Sequence, residues 1–207
     1  WAGAGILALS PLTYAWCEDT HHPVRVLLIT GGHPYDEEQF HEMFDSFEDM
    51  EITHQEIQVF DHAFGDVYGW QYDTIVLYNM TNELYSVNME NWEKLTEWGV
   101  GFVPLHHGTL SWSNSDGIKE YFGVDFPNTQ EPFGFHIGEQ FTYQISDPDH
   151  PITEGMTDFD VIDETYTGYY GDGHPGNRVL VTTDHEPSDP ELVWVRFKNN
   201  SRIANLQ

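Results

Sequence analysis

The sequence predicts an α/β fold, a doubly wound, mostly parallel sheet with helices on both faces. Three observations carry that expectation. A nearly continuous apolar run, Val24–Thr30, ends in Gly31-Gly32, the pattern of a central strand buried on both sides. A segment with apolar residues at helical spacing follows it. Strand-like and helix-like segments then alternate down the chain, as crossover connections in a parallel sheet require.

The elements follow in order. Asp36–Glu48 sets Phe40, Met43, Phe44 and Phe47 on one helical stripe, with Asp36, Glu37 and Glu38 in the first turn, where the helix dipole favours negative charge. Glu51–Phe60 and Asp73–Tyr78 read as the second and third strands. A second helix over Val87–Trp98 turns Met89, Trp92, Leu95 and Trp98 inward and stops at Gly99. Gly101–Leu105 is the next strand, followed by a short helix near Ser115–Phe122. Further strand-like pieces fall at 137–145, 178–183, 191–197 and 202–207. No repeat, heptad or linker interrupts the series, so residues 21–207 read as a single domain that stops inside its last strand.

Composition narrows function by exclusion. Of 207 residues, 39% are hydrophobic and 15% aromatic, enough for a sizeable core. Seven Lys and Arg stand against 35 Asp and Glu, a formal net charge of −28. Such a surface repels phosphate backbones and anionic lipid, which argues against nucleic-acid and membrane-surface partners. The one cysteine, Cys17, excludes a disulfide framework and Cys-based zinc or iron–sulfur sites. Residues 3–15 are apolar, small and uncharged, too few for a membrane span but matched to the apolar core of a secretory signal. Residues 1–20 are therefore expected to be a truncated signal segment, and the protein to be exported.

The histidines point to a site. In an open parallel sheet, ligands bind beyond the carboxyl ends of the strands. Two strands here end in histidines: Thr30-Gly31-Gly32-His33 and Leu105-His106-His107-Gly108. A third loop, Asp160–Tyr166, reads as an acidic turn carrying Asp163 and Glu164. Neutral imidazole is a general base, an acid once protonated, and a metal ligand. On a regular strand His106 and His107 would face opposite ways, leaving one of them in a cleft. His21, His22, His41, His54 and His62 read as ordinary surface or core histidines, and His150-Pro151 and His174-Pro175 as turns. Gly31-Gly32 is no phosphate loop, since neither Gly-Lys-Ser/Thr nor G-x-G-x-x-G follows, and no nucleotide cofactor is expected.

The ordered series Val26–His33, Tyr72–Tyr78, Gly101–His107, Asp149–Thr153, Asp163–Tyr166 and Val193–Val195 resembles the ThuA-like (trehalose utilisation) family, over roughly residues 24–207. The resemblance implies the flavodoxin-like fold of class I glutamine amidotransferases. It also implies a carbohydrate as small-molecule partner, a disaccharide or a keto-sugar derivative. Where that family usually has Gly-Lys-Gly-Arg before its last strand, this chain has Lys198-Asn-Asn-Ser-Arg202. Amidotransferases of this fold carry a nucleophilic Cys on the turn after the strand that corresponds to 101–105. Here His106-His107 stand there, which excludes glutamine hydrolysis through a thioester.

The expected chemistry is bond cleavage or proton transfer at a sugar that carries a ketone, catalysed by His33, His107 and Glu164. Either histidine can be the base. His106, Trp112 and Tyr166 are the expected substrate contacts, the two aromatics as stacking platforms. In an alternative role His33, His107 and Glu164 would hold one divalent metal ion with open positions. The rival reading is a non-catalytic exported module that binds carbohydrate or protein.

Overall fold

The computed structural model describes residues 22–57, 64–80, 86–112, 116–124, 134–168 and 174–207. Among them nine strands form one sheet: β1 Val24–Gly31, β2 Met50–Glu56, β3 Thr74–Asn79, β4 Gly101–Pro104, β5 Gly134–Ile145, β6 Phe159–Thr167, β7 Arg178–Thr182, β8 Glu191–Lys198 and β9 Ser201–Leu206. Their spatial order is β2-β1-β3-β4-β9-β8-β7-β5-β6. Three α-helices accompany them, α1 Glu37–Asp45, α2 Ser86–Glu97 and α3 Asp116–Phe122, with a 3-10 turn at His106–Leu110. No helix among the described residues is long and apolar enough to cross a membrane.

The sheet is mixed, which corrects the mostly parallel expectation. β2, β1, β3, β4 and β9 pair parallel, whereas β9, β8, β7, β5 and β6 pair antiparallel. The physical reason is visible at Asn199-Asn200, with Asn199 at φ 52°. Two residues between β8 and β9 can close a hairpin but cannot carry the chain to a parallel neighbour. The expected acidic turn at 160–166 is likewise β6, the strand at the outer edge. Its Asp160, Asp163 and Glu164 are charges of the kind that keep an open edge from pairing with another chain.

Core packing follows the alternation of β1. Val26 and Leu28 pack with Phe44 of α1, while Leu27 and Ile29 join Trp92 and Leu95 of α2 and Phe122 of α3. The antiparallel half has its own cluster, Phe141, Leu180, Val181, Leu192 and Val193, built from strand residues alone. Among the described residues no helix contributes to that cluster, so helical cover on both faces is not seen over that half. Asp36 caps α1 by accepting from the Gln39 amide, and Glu37 and Glu38 occupy its first turn. Of its apolar stripe Phe44 is buried, while Met43 and Phe47 stay exposed. In α2 Trp92 and Leu95 are fully buried, but Trp98 lies past the last turn and is exposed, because Gly99 at φ 84° redirects the chain.

Register brings the strand ends to one level. Thr30 of β1 sits beside Tyr78 of β3, and Leu77 of β3 beside Pro104 of β4. The loop after β1 and the turn after β4 therefore leave the sheet as neighbours.

Candidate active site

Glycines press these two loops onto the strand ends. A Cβ at Gly32, where φ is 77°, would collide with the Met80 carbonyl, and one at Gly108 with the Leu77 carbonyl. The turn after β4 is strained as well as tight. His106 at φ 52° and Trp112 at φ 57° bracket it in the left-handed region, which non-glycine residues seldom adopt. Trp112 anchors it by packing edge-on against Phe64 and Trp92.

The result is one contiguous group of rings. His33 and His107 have centroids 4.7 Å apart, and His107 lies 4.4 Å from Tyr78. His106 is 5.4 Å from His107 and 5.2 Å from Tyr166. From β6 the Tyr166 hydroxyl donates to Glu164 Oε2 at 2.7 Å and meets His106 Nε2 at 3.1 Å. His106 Nε2 and Glu164 Oε2 are 3.5 Å apart. Because the single hydroxyl proton of Tyr166 goes to the carboxylate, its oxygen accepts from His106, which places a proton on Nε2 of that ring.

The other two histidines take the opposite tautomer. His33 Nδ1 is 2.7 Å from the Pro34 carbonyl oxygen, which can only accept, so Nδ1 carries the proton and Nε2 keeps its lone pair. His107 hydrogen-bonds the Tyr78 backbone, and its buried Nε2 has no partner. Burial drives the His107 imidazole down to about 3, helped by His106 and His33 and opposed by the Tyr78 hydrogen bond. It is a neutral acceptor across the whole physiological range. Burial also lowers His106, against the pull of Asp163 and Glu164. Tyr166 is held far above the usual phenol range by burial and by its bond to Glu164, and Tyr78 is raised by burial and the same two carboxylates.

Five of the six expected site residues thus gather: His33, His106, His107, Glu164 and Tyr166. The sixth, Trp112, is 2% exposed and sits in the core, so it offers no ring face to a sugar. His106 and His107 both face the group because the 3-10 turn replaces the strand geometry that would have separated them. Tyr78 escaped the sequence reading, although it is the last residue but one of β3, as His33 and His107 follow the ends of β1 and β4. Applying the strand-end rule to all three strands finds it.

Among the described residues no three His, Cys, Asp or Glu side chains come together in a way that could hold a metal ion. Glu164 is engaged by Tyr166 and His106. A groove of about 490 Å³, lined by Thr74, Gly101, Ile152, Arg202 and Ile203, lies at the opposite strand ends and shares no residue with the ring group.

The ThuA family profile, described as trehalose utilisation, matches residues 15–204. The chain belongs to the ThuA family. Its fold is shared with the crystal structure of a ThuA-like protein from Parabacteroides merdae ATCC 43184, with TM-score 0.70, 16% identity, and 89% of this chain and 78% of that one covered. A ThuA-like protein from Bacteroides uniformis ATCC 8492 is similar at TM-score 0.67 and 16% identity, covering 95% of this chain and 84% of its own. PurLQS from Thermotoga maritima, at TM-score 0.51 and 14% identity with 87% and 85% covered, carries the amidotransferase-like form of the fold. At these identities the three structures speak for the fold alone. No curated protein matches the chain. ThuA membership links the protein to carbohydrate metabolism and trehalose utilisation.

Proposed function

We propose that this ThuA protein cleaves a glycoside whose sugar carries a ketone, by acid–base chemistry at the ring group. The observation that supports this most is the division of tautomers. The exposed His33 keeps its Nε2 for a proton, and the Tyr166–His106 pair held by Glu164 belongs to the same contiguous ring group.

Proton removal beside a carbonyl needs a base within reach and a donor for the oxygen that becomes negative. His33 is the exposed imidazole and takes the proton through Nε2. His107, kept neutral by burial, packs against the His33 ring and holds it in place. When the C–H bond beside the carbonyl breaks, its electron pair moves to the carbonyl oxygen. Its return forms a carbon–carbon double bond and expels the glycosidic oxygen one carbon further on. That oxygen takes up the proton that His33 removed, which returns the imidazole to its starting form, while the Tyr166–His106 pair held by Glu164 positions the sugar. The charges acting on these rings are the carboxylates of Asp163 and Glu164, which suits an uncharged sugar. The proposal extends to an exported protein, a setting in which salt screens the charge of −28.

The test is turnover of a keto-disaccharide followed by NMR, with wild type beside His33→Gln and Glu164→Gln. Release of the leaving sugar by wild type, reduced on the order of a hundredfold or more in both variants, supports the mechanism. Equal release by all three proteins would refute the assignment.

A further inference from the structure

The loop between β7 and β8 lies against the strand that carries Glu164 and Tyr166. It runs from Thr183 to Pro190 and is closed on itself, since Thr183 N donates to the Pro190 carbonyl at 2.9 Å and Ser188 N to the His185 carbonyl at 3.0 Å. A short loop with bonded ends behaves as one compact piece. This one grips β6 at two successive residues. Thr165 Oγ1 donates to the Pro187 carbonyl at 2.5 Å, and the Asp189 amide donates to the Tyr166 carbonyl at 2.7 Å. The second bond fills the outer edge of β6 at the residue whose hydroxyl joins Glu164 to His106.

Alternation along β6 sets the loop behind the site. Tyr166 and Glu164 face the histidines, whereas Thr165, fully buried, points the other way into the loop. A bulge between His136 and Glu139, with Gly138 at φ 73°, adds one residue to β5 and turns Glu139 to the face of Thr165. There His185 of the loop meets it. His185 Nε2 stands 2.9 Å from Glu139 Oε2, and its ring stacks on Phe141 at 5.8 Å and 19°. A carboxylate can only accept, so Nε2 carries the proton. Both side chains are largely shielded from water, which strengthens the bond between them.

We propose that the 183–190 loop is a strap that sets the position of β6, and that His185, tied to Glu139, is a positioning residue for Tyr166 and Glu164; this rests on reading the ring group as the active site. Among the described strands β6 pairs with β5 alone, so its outer side is held by the loop. The loop is in turn held to β5 by His185. Release of that tie frees the loop, loosens both of its bonds to β6 and lets the Tyr166 hydroxyl draw away from His106.

Proton exchange in the isotope-labelled full chain, followed by NMR, tests the strap without any substrate. The protons to follow are His106 Nε2–H in the site, the Asp189 amide in the loop and the Leu77 amide in the buried β3. His185→Phe keeps a ring on Phe141 but removes the donor. The His106 and Asp189 protons should then exchange with water about tenfold faster, the effect of losing one hydrogen bond to a charged group, while Leu77 stays as in wild type. His185→Gln, whose amide reaches the place of Nε2, should remain within about twofold of wild type. Thr165→Val cuts the strap from the strand side and should speed the same two protons. Acceleration of Asp189 with His106 unmoved, or equal acceleration of Leu77, would overturn the proposal. Absence of keto-disaccharide turnover in wild type, with His106 responding to His185, would remove the cleavage reading and leave the strap standing. Turnover in wild type with His106 indifferent to His185 would do the reverse.

Discussion

The protonation of His107 has a consequence for stability that can be worked through. In the unfolded chain an ordinary histidine takes up its proton near pH 6.5, whereas in the fold His107 stays neutral down to about 3. The folded value is the lower one, so stability is present above pH 6.5 and is lost as pH falls from there toward 3. Within that window the unfolded state holds one more proton, and each pH unit costs about 1.4 kcal/mol. Between pH 7 and pH 5 the loss amounts to about 2 kcal/mol. Urea unfolding at both pH values, followed by tryptophan fluorescence, isolates the contribution by comparison with His107→Gln, which cannot titrate. Wild type should lose about 2 kcal/mol more than the variant over that interval, the other titrating groups being common to both. A difference between the two proteins that does not change with pH would show that His107 is not held neutral by burial.

Three further outcomes follow from the same geometry. Tyr166→Phe removes the hydroxyl joining Glu164 to His106 while keeping the ring, so melting should change little and keto-glycoside turnover should fall about a hundredfold, read by NMR. Gly108→Ala drives a Cβ into the Leu77 carbonyl and should cost about 1–3 kcal/mol in urea unfolding, with loss of the ring group. Trp112→Ala empties a fully packed position and should cost about 3–5 kcal/mol, whereas Phe135→Ala at an exposed position should stay within about 0.5 kcal/mol of wild type.

The parallel half of the sheet was legible because its signals are local. Val26–Ile29 is apolar on both faces, and α1 and α2 announce themselves by spacing and by Asp36 and Gly99 at their ends. The antiparallel half was not. Its strands read individually, but their direction depends on connections, and the two-residue turn at Asn199-Asn200 was the signal that settles β8 and β9. β6 looked like a turn because an edge strand can carry charges that an interior strand cannot.

For the site, the strand-end rule found His33, His106 and His107, and Glu164 and Tyr166 came with the third loop. What spacing alone could not supply is the fate of each aromatic. Trp112 and Phe135 are both large apolar rings near the histidines in sequence or across strands, yet one is buried and the other exposed. That difference is decided by the strained turn after β4 and by the bulge at Gly138, both tertiary features.

The most direct test of the central claim is solvent deuterium exchange beside the ketone of a keto-disaccharide, measured by proton NMR with the leaving group still attached. Wild type is expected to exchange the proton on the carbon next to the carbonyl or to expel the leaving group after removing it, and His33→Gln to do neither at a comparable rate. Cleavage by wild type with that proton fully retained in the product, or exchange undiminished in His33→Gln, would contradict the assignment of His33 as the base.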